Sequence, residues 1–225
     1  MVNGVLTIPL SGTSFGLSHA AGARATRLSH FVAGPENALA AAALAPFLDR
    51  TSSCYSPLVL YGPAGSGKSH LACGLADWWR HHFPDVSVVY LSGAEFAREY
   101  ADALAKSRLE AWRDEVREAE LFILDDLGEL GDKRPAQQEL LHVLDALHER
   151  AALVVVTART LPAQWPVLLP ALRGRLSVGL AVSLAFPARD ARRVLLERLA
   201  AGRGVSLPPT RSTAWLPGSK VTCQS

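Results

Sequence analysis

Short apolar runs alternate along this chain with longer segments that have helical periodicity. The runs are aliphatic, largely β-branched and bounded by turn residues or charges, which is typical of buried parallel strands. They lie at Leu58–Tyr61, Val86–Leu91, Leu121–Leu124, Leu153–Val156 and Val178–Leu184. Helices are predicted at Glu36–Asp49, Leu71–His82, Ala94–Ala119 (as one helix or two), Gln137–Arg150 and Ala188–Ala201. This alternation predicts an α/β fold with a mostly parallel sheet.

The two ends of the chain differ from this pattern. Residues 1–28 are rich in Gly, Ser and Ala and have no periodicity, so we expect a flexible leader. Residues 209–225 have neither helical nor strand periodicity. We expect an irregular tail there, with a truncated or aberrant C-terminus as the alternative. Residues 29–208 are then expected to form the folded domain.

Composition and charge exclude several classes of protein. The 23 Lys and Arg residues nearly balance the 21 Asp and Glu residues, and a net charge of +2 argues against a general polycation for nucleic acid. Cys54, Cys73 and Cys223 lack the spacing of a zinc site or a disulfide framework. The N-terminus has no Lys or Arg before Arg24, and no run approaches the roughly 20 apolar residues of a membrane helix. We therefore predict a cytoplasmic protein without a membrane span.

One glycine-rich motif dominates the candidate chemistry. Gly62-Pro63-Ala64-Gly65-Ser66-Gly67-Lys68-Ser69 fits the pattern G-x-x-x-x-G-K-[ST] and lies between a predicted strand and a predicted helix. Glycines allow backbone N–H groups to surround phosphate oxygens, and the start of a helix adds its positive dipole. Lys68 is expected to neutralise the β- and γ-phosphates, and the Ser69 hydroxyl to bind Mg²⁺. The motif predicts binding of ATP or ADP with Mg²⁺.

Two carboxylates end a buried strand further along the chain. Asp125 and Asp126 follow the apolar run Leu121–Leu124. In enzymes with a phosphate loop, the first acid holds Mg²⁺ and a neighbouring acid can orient the attacking water. A solvated turn is the alternative for an isolated Asp-Asp pair. Beside the phosphate loop, the pair predicts Mg²⁺-dependent ATP hydrolysis.

Two later polar positions are candidates for sensing or completing the reaction. Thr157 ends the strand Leu153–Val156, where its side chain could reach the water or the γ-phosphate; an ordinary strand-end Thr is the alternative. Arg173 and Arg175 are predicted to lie in a short loop before the last strand. An arginine from a neighbouring subunit can stabilise charge on a transferred phosphate. A solvated surface pair is the alternative for these two arginines.

Several stretches share their residues with a known family. Phe31–Ala40 reads F-V-x-G-x-x-N-x-x-A, the phosphate loop continues into Ser69-His70-Leu71, and Leu161-Pro162 follows the strand that ends at Thr157. Together with Leu124-Asp125-Asp126, they resemble the AAA+ domain of the bacterial replication initiator DnaA and its relatives over about residues 28–208. The resemblance implies a P-loop NTPase fold, a three-layer αβα arrangement around a five-stranded parallel sheet.

Carried over residue by residue, the resemblance implies a role for each matching position. The nucleotide site would comprise Phe31, Val32 and Asn37 near the adenine, the loop from Gly62 to Ser69 on the phosphates, and His70 beside it. The metal ligands would be Ser69 and Asp125. The catalytic residues would be Lys68, Asp126 for the hydrolytic water, Thr157 as the sensor and Arg175 as the inter-subunit arginine finger, with Arg173 as the second choice.

The departures from the family bear on function. The initiators continue into a helical lid and a helix-turn-helix module, whereas the recognisable pattern here ends near Pro208. The sensor strand reads Thr157-Ala158-Arg159 where the family more often has Thr-Ser-Asp. We therefore expect a free-standing DnaA-type ATPase, or a truncated initiator, that acts in replication initiation or its regulation. Its partners would be ATP, a second copy through Arg175, and replication proteins or DNA through them.

Two other functions remain open from the sequence. Helicase-loader and transposition-helper ATPases have a similar phosphate loop and acidic strand, although they generally lack the segment Phe31–Asn37. A nucleotide-dependent scaffold that hardly hydrolyses ATP is the non-enzymatic alternative.

Overall fold

The computed structural model describes residues 5–9, 30–50 and 55–205. Its strands are β1 (Leu6–Pro9), β2 (His30–Ala33), β3 (Leu58–Tyr61), β4 (Val88–Ser92), β5 (Leu121–Asp125), β6 (Leu153–Ala158) and β7 (Leu180–Ser183). Its α-helices are α1 (Ala38–Leu48), α2 (Lys68–His82), α3 (Gly93–Ala105), α4 (Leu109–Arg117), α5 (Arg134–Glu149), α6 (Pro170–Ser177) and α7 (Arg189–Ala201). The predicted tail, and the leader apart from residues 5–9, lie outside the described residues.

A five-stranded parallel sheet forms the centre of the domain. Its strand order is β4-β5-β6-β3-β7, and every neighbouring pair is parallel. Because successive side chains of a strand point to opposite faces, each buried strand supplies two cores. Leu121 and Ile123 pack towards α1 and α2, whereas Phe122 and Leu124 pack towards α3, α4, α5 and α6. The predicted three-layer αβα fold with a five-stranded parallel sheet is confirmed.

A small antiparallel sheet adds to this core. Within the expected leader, β1 pairs with β2 so that Leu6 lies opposite Ala33. Val5 and Ile8 are buried, and α7 covers the hairpin through Ala191. The sequence did not indicate β1, because this strand is only four residues long and its partner strand lies more than twenty residues away.

Helix α6 is the main difference from the sequence-based elements. The segment with Arg173 and Arg175 was predicted to be a loop, and that placement is wrong. Pro170 starts the helix with its fixed φ, and Leu172 and Leu176 lie one turn apart and are buried. The last strand is correspondingly shorter than predicted, because Val178 caps the helix. The segment Ala94–Ala119, predicted as one helix or two, forms two helices, which are separated at Ser107 with its positive φ.

No helix within the described part of the chain combines the length and the apolar character that crossing a membrane requires.

Candidate functional site

The phosphate loop leaves the carboxyl end of β3 and is fixed there by its neighbours. The N–H of Gly62 donates to the carbonyl of Ala158 on β6 at 3.1 Å. Gly62 has a φ of 155°, and a Cβ at this position would lie 2.2 Å from the carbonyl oxygen of Leu184. Only glycine fits between these two segments. The first residue of the loop is therefore anchored to the backbone after β6 and β7.

The rest of the loop leads directly into α2. Gly65 and Gly67 have φ values of 81° and 100°, in the left-handed region that favours glycine. Gly67 caps the helix, whose first residue is Lys68, three positions before the predicted start at Leu71. Ser66 is buried, whereas Pro63 and Ala64 are exposed. The N-terminus of a 15-residue helix thus opens at the loop, where backbone N–H groups favour an anion.

Lys68 is the cation of this loop. Its side chain is held close to the backbone, because Nζ donates to the carbonyls of Gly62 and Pro63 at 2.8 Å each. The residue is only 8% exposed. Burial lowers the pKa of the ammonium group, and the carboxylates of Asp126 and Asp125 act in the opposite direction. Nζ also lies 3.5 Å from the Ser66 hydroxyl, so all of its hydrogen-bond partners are neutral, and a buried ammonium group of this kind is well suited to receive an anion.

The Asp125 carboxylate is surrounded by hydroxyl groups. Its Oδ1 accepts hydrogen bonds from Thr157 Oγ1 at 2.5 Å and from Ser69 Oγ at 3.0 Å. Its Oδ2 accepts one from the Tyr90 hydroxyl at 2.9 Å. Burial, together with the Asp125 charge, raises the pKa of Tyr90, so the phenol stays protonated and remains a donor. The structure therefore brings the predicted residues Ser69, Asp125 and Thr157 together in one cluster.

This cluster has the chemistry that Mg²⁺ prefers. Serine and carboxylate oxygens are hard ligands, and Mg²⁺ is commonly held by one or two such groups together with substrate phosphates. Ser69 Oγ and Asp125 Oδ1 lie 3.0 Å apart beside the start of α2. The two predicted ligands therefore fit a magnesium ion. Among the residues that the structure describes, no group of three or more His, Cys, Asp or Glu side chains forms another metal site.

Asp126 is held in a different way from its neighbour. Its φ of 47° is left-handed, and its N–H donates to Thr157 Oγ1 at 2.8 Å. Its Oδ2 accepts two hydrogen bonds from Arg159, from Nη2 at 3.0 Å and from Nε at 3.3 Å. Its Oδ1 is buried and has no hydrogen-bond partner in the described structure. Thr157 thus joins both acids, and Arg159 supplies the cation beside them.

The residues expected near the adenine lie on β2, directly before α1 and on α2. Phe31 and Val32 on β2 are buried, and the Phe31 ring would be 3.4 Å from a Cβ at Gly67. The Asn37 amide binds the backbone of Ala185, donating to its carbonyl at 3.1 Å and accepting from its N–H at 2.9 Å. His70 is the half-buried third residue of α2. Asn37 therefore fixes the segment after β7 to the start of α1.

The structure does not bring Arg175 to this cluster. Arg175 forms an ion pair with Asp145 of α5 and lines a small cavity with Ser56 and Pro57, next to the amino end of β3. The phosphate loop begins at the carboxyl end of that strand, about 16 Å further along an extended chain. Arg173, in the same helix, is half-buried. Arg175 therefore does not join the cluster of Ser69, Asp125 and Thr157 in its own chain.

Two residues of the site had no predicted role. Ser92 lies opposite Asp125 in the β4–β5 register, and Tyr90 is two residues before Ser92, so the side chains of Tyr90 and Asp125 lie on the same face of the sheet. Only that register, which the sequence does not provide, indicates the contact. Arg159 was noted as a departure from the family pattern, and its pairing with Asp126 gives that departure a structural role.

Comparisons with known proteins agree with this geometry. The sequence model of the bacterial DnaA ATPase domain matches residues 23–183. Domain III of the Thermotoga maritima replication initiation protein DnaA superposes with a TM-score of 0.76 at 25% identity, over 81% of this chain and 76% of that one. AMPPCP-bound DnaA from Aquifex aeolicus gives 0.75 at 23% identity, over 84% of this chain and 59% of that one. The DnaC helicase loader gives 0.53 at 13% identity, over 68% and 92%.

Proposed function

We propose a function on the premise that the chain belongs to the family of bacterial DnaA ATPase domains, which its match over residues 23–183 shows. The chain binds ATP or ADP with Mg²⁺, hydrolyses ATP, and acts in the initiation of chromosomal replication or its regulation. It spans 76% of the T. maritima domain and 59% of the A. aeolicus chain, so the role of a whole initiator is not carried over. Its cytoplasmic location is part of the same proposal.

The observation that carries the proposal is the geometry around the phosphate loop. A buried Lys68 and the N-terminus of α2 provide positive charge at one place, and the Ser69–Asp125 pair lies beside them. A phosphate chain satisfies all of these groups at once, because it supplies the anion that the lysine and the helix start favour. Isothermal titration of the purified chain with ATP and ADP, with and without Mg²⁺, tests the binding.

Each side chain of the cluster has a separate task in this proposal. Lys68 neutralises the β- and γ-phosphates, and Ser69 and Asp125 hold Mg²⁺. When bound, Mg²⁺ neutralises charge that develops on the phosphate oxygens. Thr157 and Tyr90 fix the orientation of Asp125 by donating to its two oxygens. Asp126, whose buried Oδ1 lacks a donor in the described structure, accepts a hydrogen bond from the attacking water.

Asp126→Asn is expected to separate binding from hydrolysis. The amide keeps the size of the side chain but loses the carboxylate that orients water, so kcat should fall by about 100-fold while the Kd for ATP stays within a fewfold of the parental value. Phosphate release and titration calorimetry measure the two quantities. Asp132→Asn makes the same change at an exposed carboxylate a short distance further along the chain and is the matched charge control. Parental turnover in Asp126→Asn would show that the role given to Asp126 is wrong.

Arg175→Ala tests assembly through a second copy. We expect ATP affinity to stay nearly unchanged, whereas ATP-dependent self-association, or hydrolysis that depends on it, is lost, because an arginine finger acts on the nucleotide of a neighbouring copy and Arg175 pairs with Asp145, away from its own site. Asp145→Ala breaks the same intrachain ion pair but keeps the guanidinium, so it is the matched control. Light scattering and turnover at rising protein concentration, with ATP and with ADP, measure both effects. A parent that stays monomeric with constant specific activity would contradict the trans role.

The helicase-loader and transposition-helper functions are the second candidate. The similarity to the DnaC loader supports the shared AAA+ fold alone, at a lower TM-score than the initiator domains. The segment Phe31–Asn37 favours the initiator family, and in this chain Asn37 fixes the backbone at Ala185. A scaffold with little hydrolysis is distinguished by turnover. Replication proteins, and DNA bound through them, are the proposed partners.

A further inference from the structure

The carboxyl edge of the sheet holds a second cation besides Lys68. Arg159 follows directly after β6, and its neighbour Ala158 accepts the hydrogen bond from Gly62 that anchors the phosphate loop. Two residues earlier, Thr157 bonds both Asp125 and the N–H of Asp126. The end of β6, just before Arg159, is thus bonded both to the phosphate loop and to the two acids. The guanidinium of Arg159 binds Asp126, the residue that follows the proposed metal ligand Asp125.

The contact that Arg159 makes in this structure is easily exchanged. Nε and Nη2 both donate to one oxygen, Asp126 Oδ2, which uses two of the five N–H donors of a guanidinium. The Arg159 side chain is 65% exposed, and exposed ion pairs contribute little net free energy. A terminal phosphate carries more charge and offers more acceptor oxygens than a single carboxylate, and its bonds to arginine are among the stronger charge-assisted ones. A γ-phosphate near Lys68 therefore competes well with Asp126 for this side chain.

A cleft beside Arg159 gives its side chain room to exchange Asp126 for a phosphate. A cleft of about 320 Å³ is lined by Asp126, Gly128, Glu129, Arg159 and Trp165, among others. Asp126, which lines the cleft, follows Asp125 directly in the chain. Thr157 bonds both residues, and Asp125 in turn bonds Ser69.

We propose that Arg159 distinguishes ATP from ADP in the same chain, by binding the γ-phosphate in exchange for its contact with Asp126. ADP lacks this group, so with ADP the Arg159–Asp126 pair persists. The exchange also releases Asp126 Oδ2 when ATP is bound, and so couples the presence of the γ-phosphate to the acid that orients water. This inference rests on the proposed nucleotide binding, but not on hydrolysis.

The test compares two nucleotides rather than two rates. Titrations with AMPPCP and with ADP, both with Mg²⁺, give the affinities without interference from turnover. Arg159→Ala is expected to raise the Kd for AMPPCP about tenfold and to leave the Kd for ADP within about twofold, because it removes charge-assisted hydrogen bonds that only the γ-phosphate accepts. Arg159→Lys keeps the charge but not the planar fork and should give an intermediate AMPPCP affinity.

Two further variants make the result specific. Arg150→Ala removes an exposed arginine just before β6, at the opposite end of the same strand, and should change neither affinity. Asp126→Asn removes the competing carboxylate and should tighten AMPPCP binding relative to ADP, an effect that disappears when it is combined with Arg159→Ala.

The outcomes separate this inference from the function on which it rests. Equal weakening of both nucleotides by Arg159→Ala, or no change in either, with a parent that binds both, overturns the γ-phosphate contact alone. A parent that binds neither nucleotide overturns the proposed function, and this inference with it. Thermal unfolding of each variant verifies that the fold is intact.

Discussion

Lys68→Ala is expected to weaken ATP binding by at least about 100-fold, the largest functional effect of any single change considered for this chain. The side chain is buried, and its ammonium group is bonded only to neutral groups of the loop, the carbonyls of Gly62 and Pro63 at 2.8 Å and the Ser66 hydroxyl at 3.5 Å. Its removal leaves the β- and γ-phosphates without the loop's side-chain cation, and no other lysine side chain takes part in the described cluster. Titration calorimetry with AMPPCP and Mg²⁺ measures the change.

The control for this variant must separate charge from structure. Lys106→Ala removes an exposed lysine at the end of α3, with a side chain 58% exposed, and should leave the affinity unchanged. Since Lys68 also bonds the Gly62 and Pro63 carbonyls, thermal unfolding has to show that the variant remains folded. Equal affinities in Lys68→Ala and the parent would mean that the loop does not bind phosphate in the way its sequence indicates.

The central sheet was predictable because its signal is local. Parallel strands buried on both faces read as continuous apolar runs, and all five runs begin and end within two residues of the observed strands. The last run was predicted too long, since Val178 belongs to the end of α6. The phosphate loop was predictable for a related reason: its glycines are required by backbone geometry, as the 2.2 Å approach to Leu184 at Gly62 shows.

The rest of the site depends on contacts that the sequence does not display. Tyr90 and Asp125 meet only because β4 and β5 pair in one register. The Arg159–Asp126 pair joins the ends of two strands more than thirty residues apart. The sequence indicated Asp125 and Asp126 as polar positions at a strand end and Arg159 as a departure from the family pattern, and it indicated no role for Tyr90. It could not indicate that the Tyr90 hydroxyl donates a hydrogen bond to Asp125 and that the Arg159 guanidinium donates to Asp126.

A second large effect is expected on stability rather than on binding, at the ion pair that joins α4 to α5. Arg113 donates from Nε and Nη2 to the two oxygens of Glu139, at 2.7 and 2.6 Å. Glu139 is only 3% exposed, so little water is available to replace this partner. Its carboxylate raises the pKa of Arg113, which therefore remains charged. The pair holds the two helices that cover one face of β5, the strand that ends in Asp125.

Arg113→Ala is expected to lower the free energy of unfolding by about 3 kcal/mol, because it leaves the Glu139 charge buried without its partner. For a chain of this size, that corresponds to a decrease in Tm of about 6–12 °C.

Arg113 also bonds Glu110 at 2.6 Å, and Glu110 is 75% exposed. Glu110→Ala removes that exposed contact from the same arginine and should lower stability by less than about 1 kcal/mol, which makes it the matched control. Urea unfolding of the two variants measures the difference. Because the phosphate loop lies on β3 and α2, we expect the AMPPCP affinity of the folded Arg113→Ala protein to equal that of the parent. Similar losses of stability in both variants would show that the fork on Glu139 contributes no more than a surface ion pair.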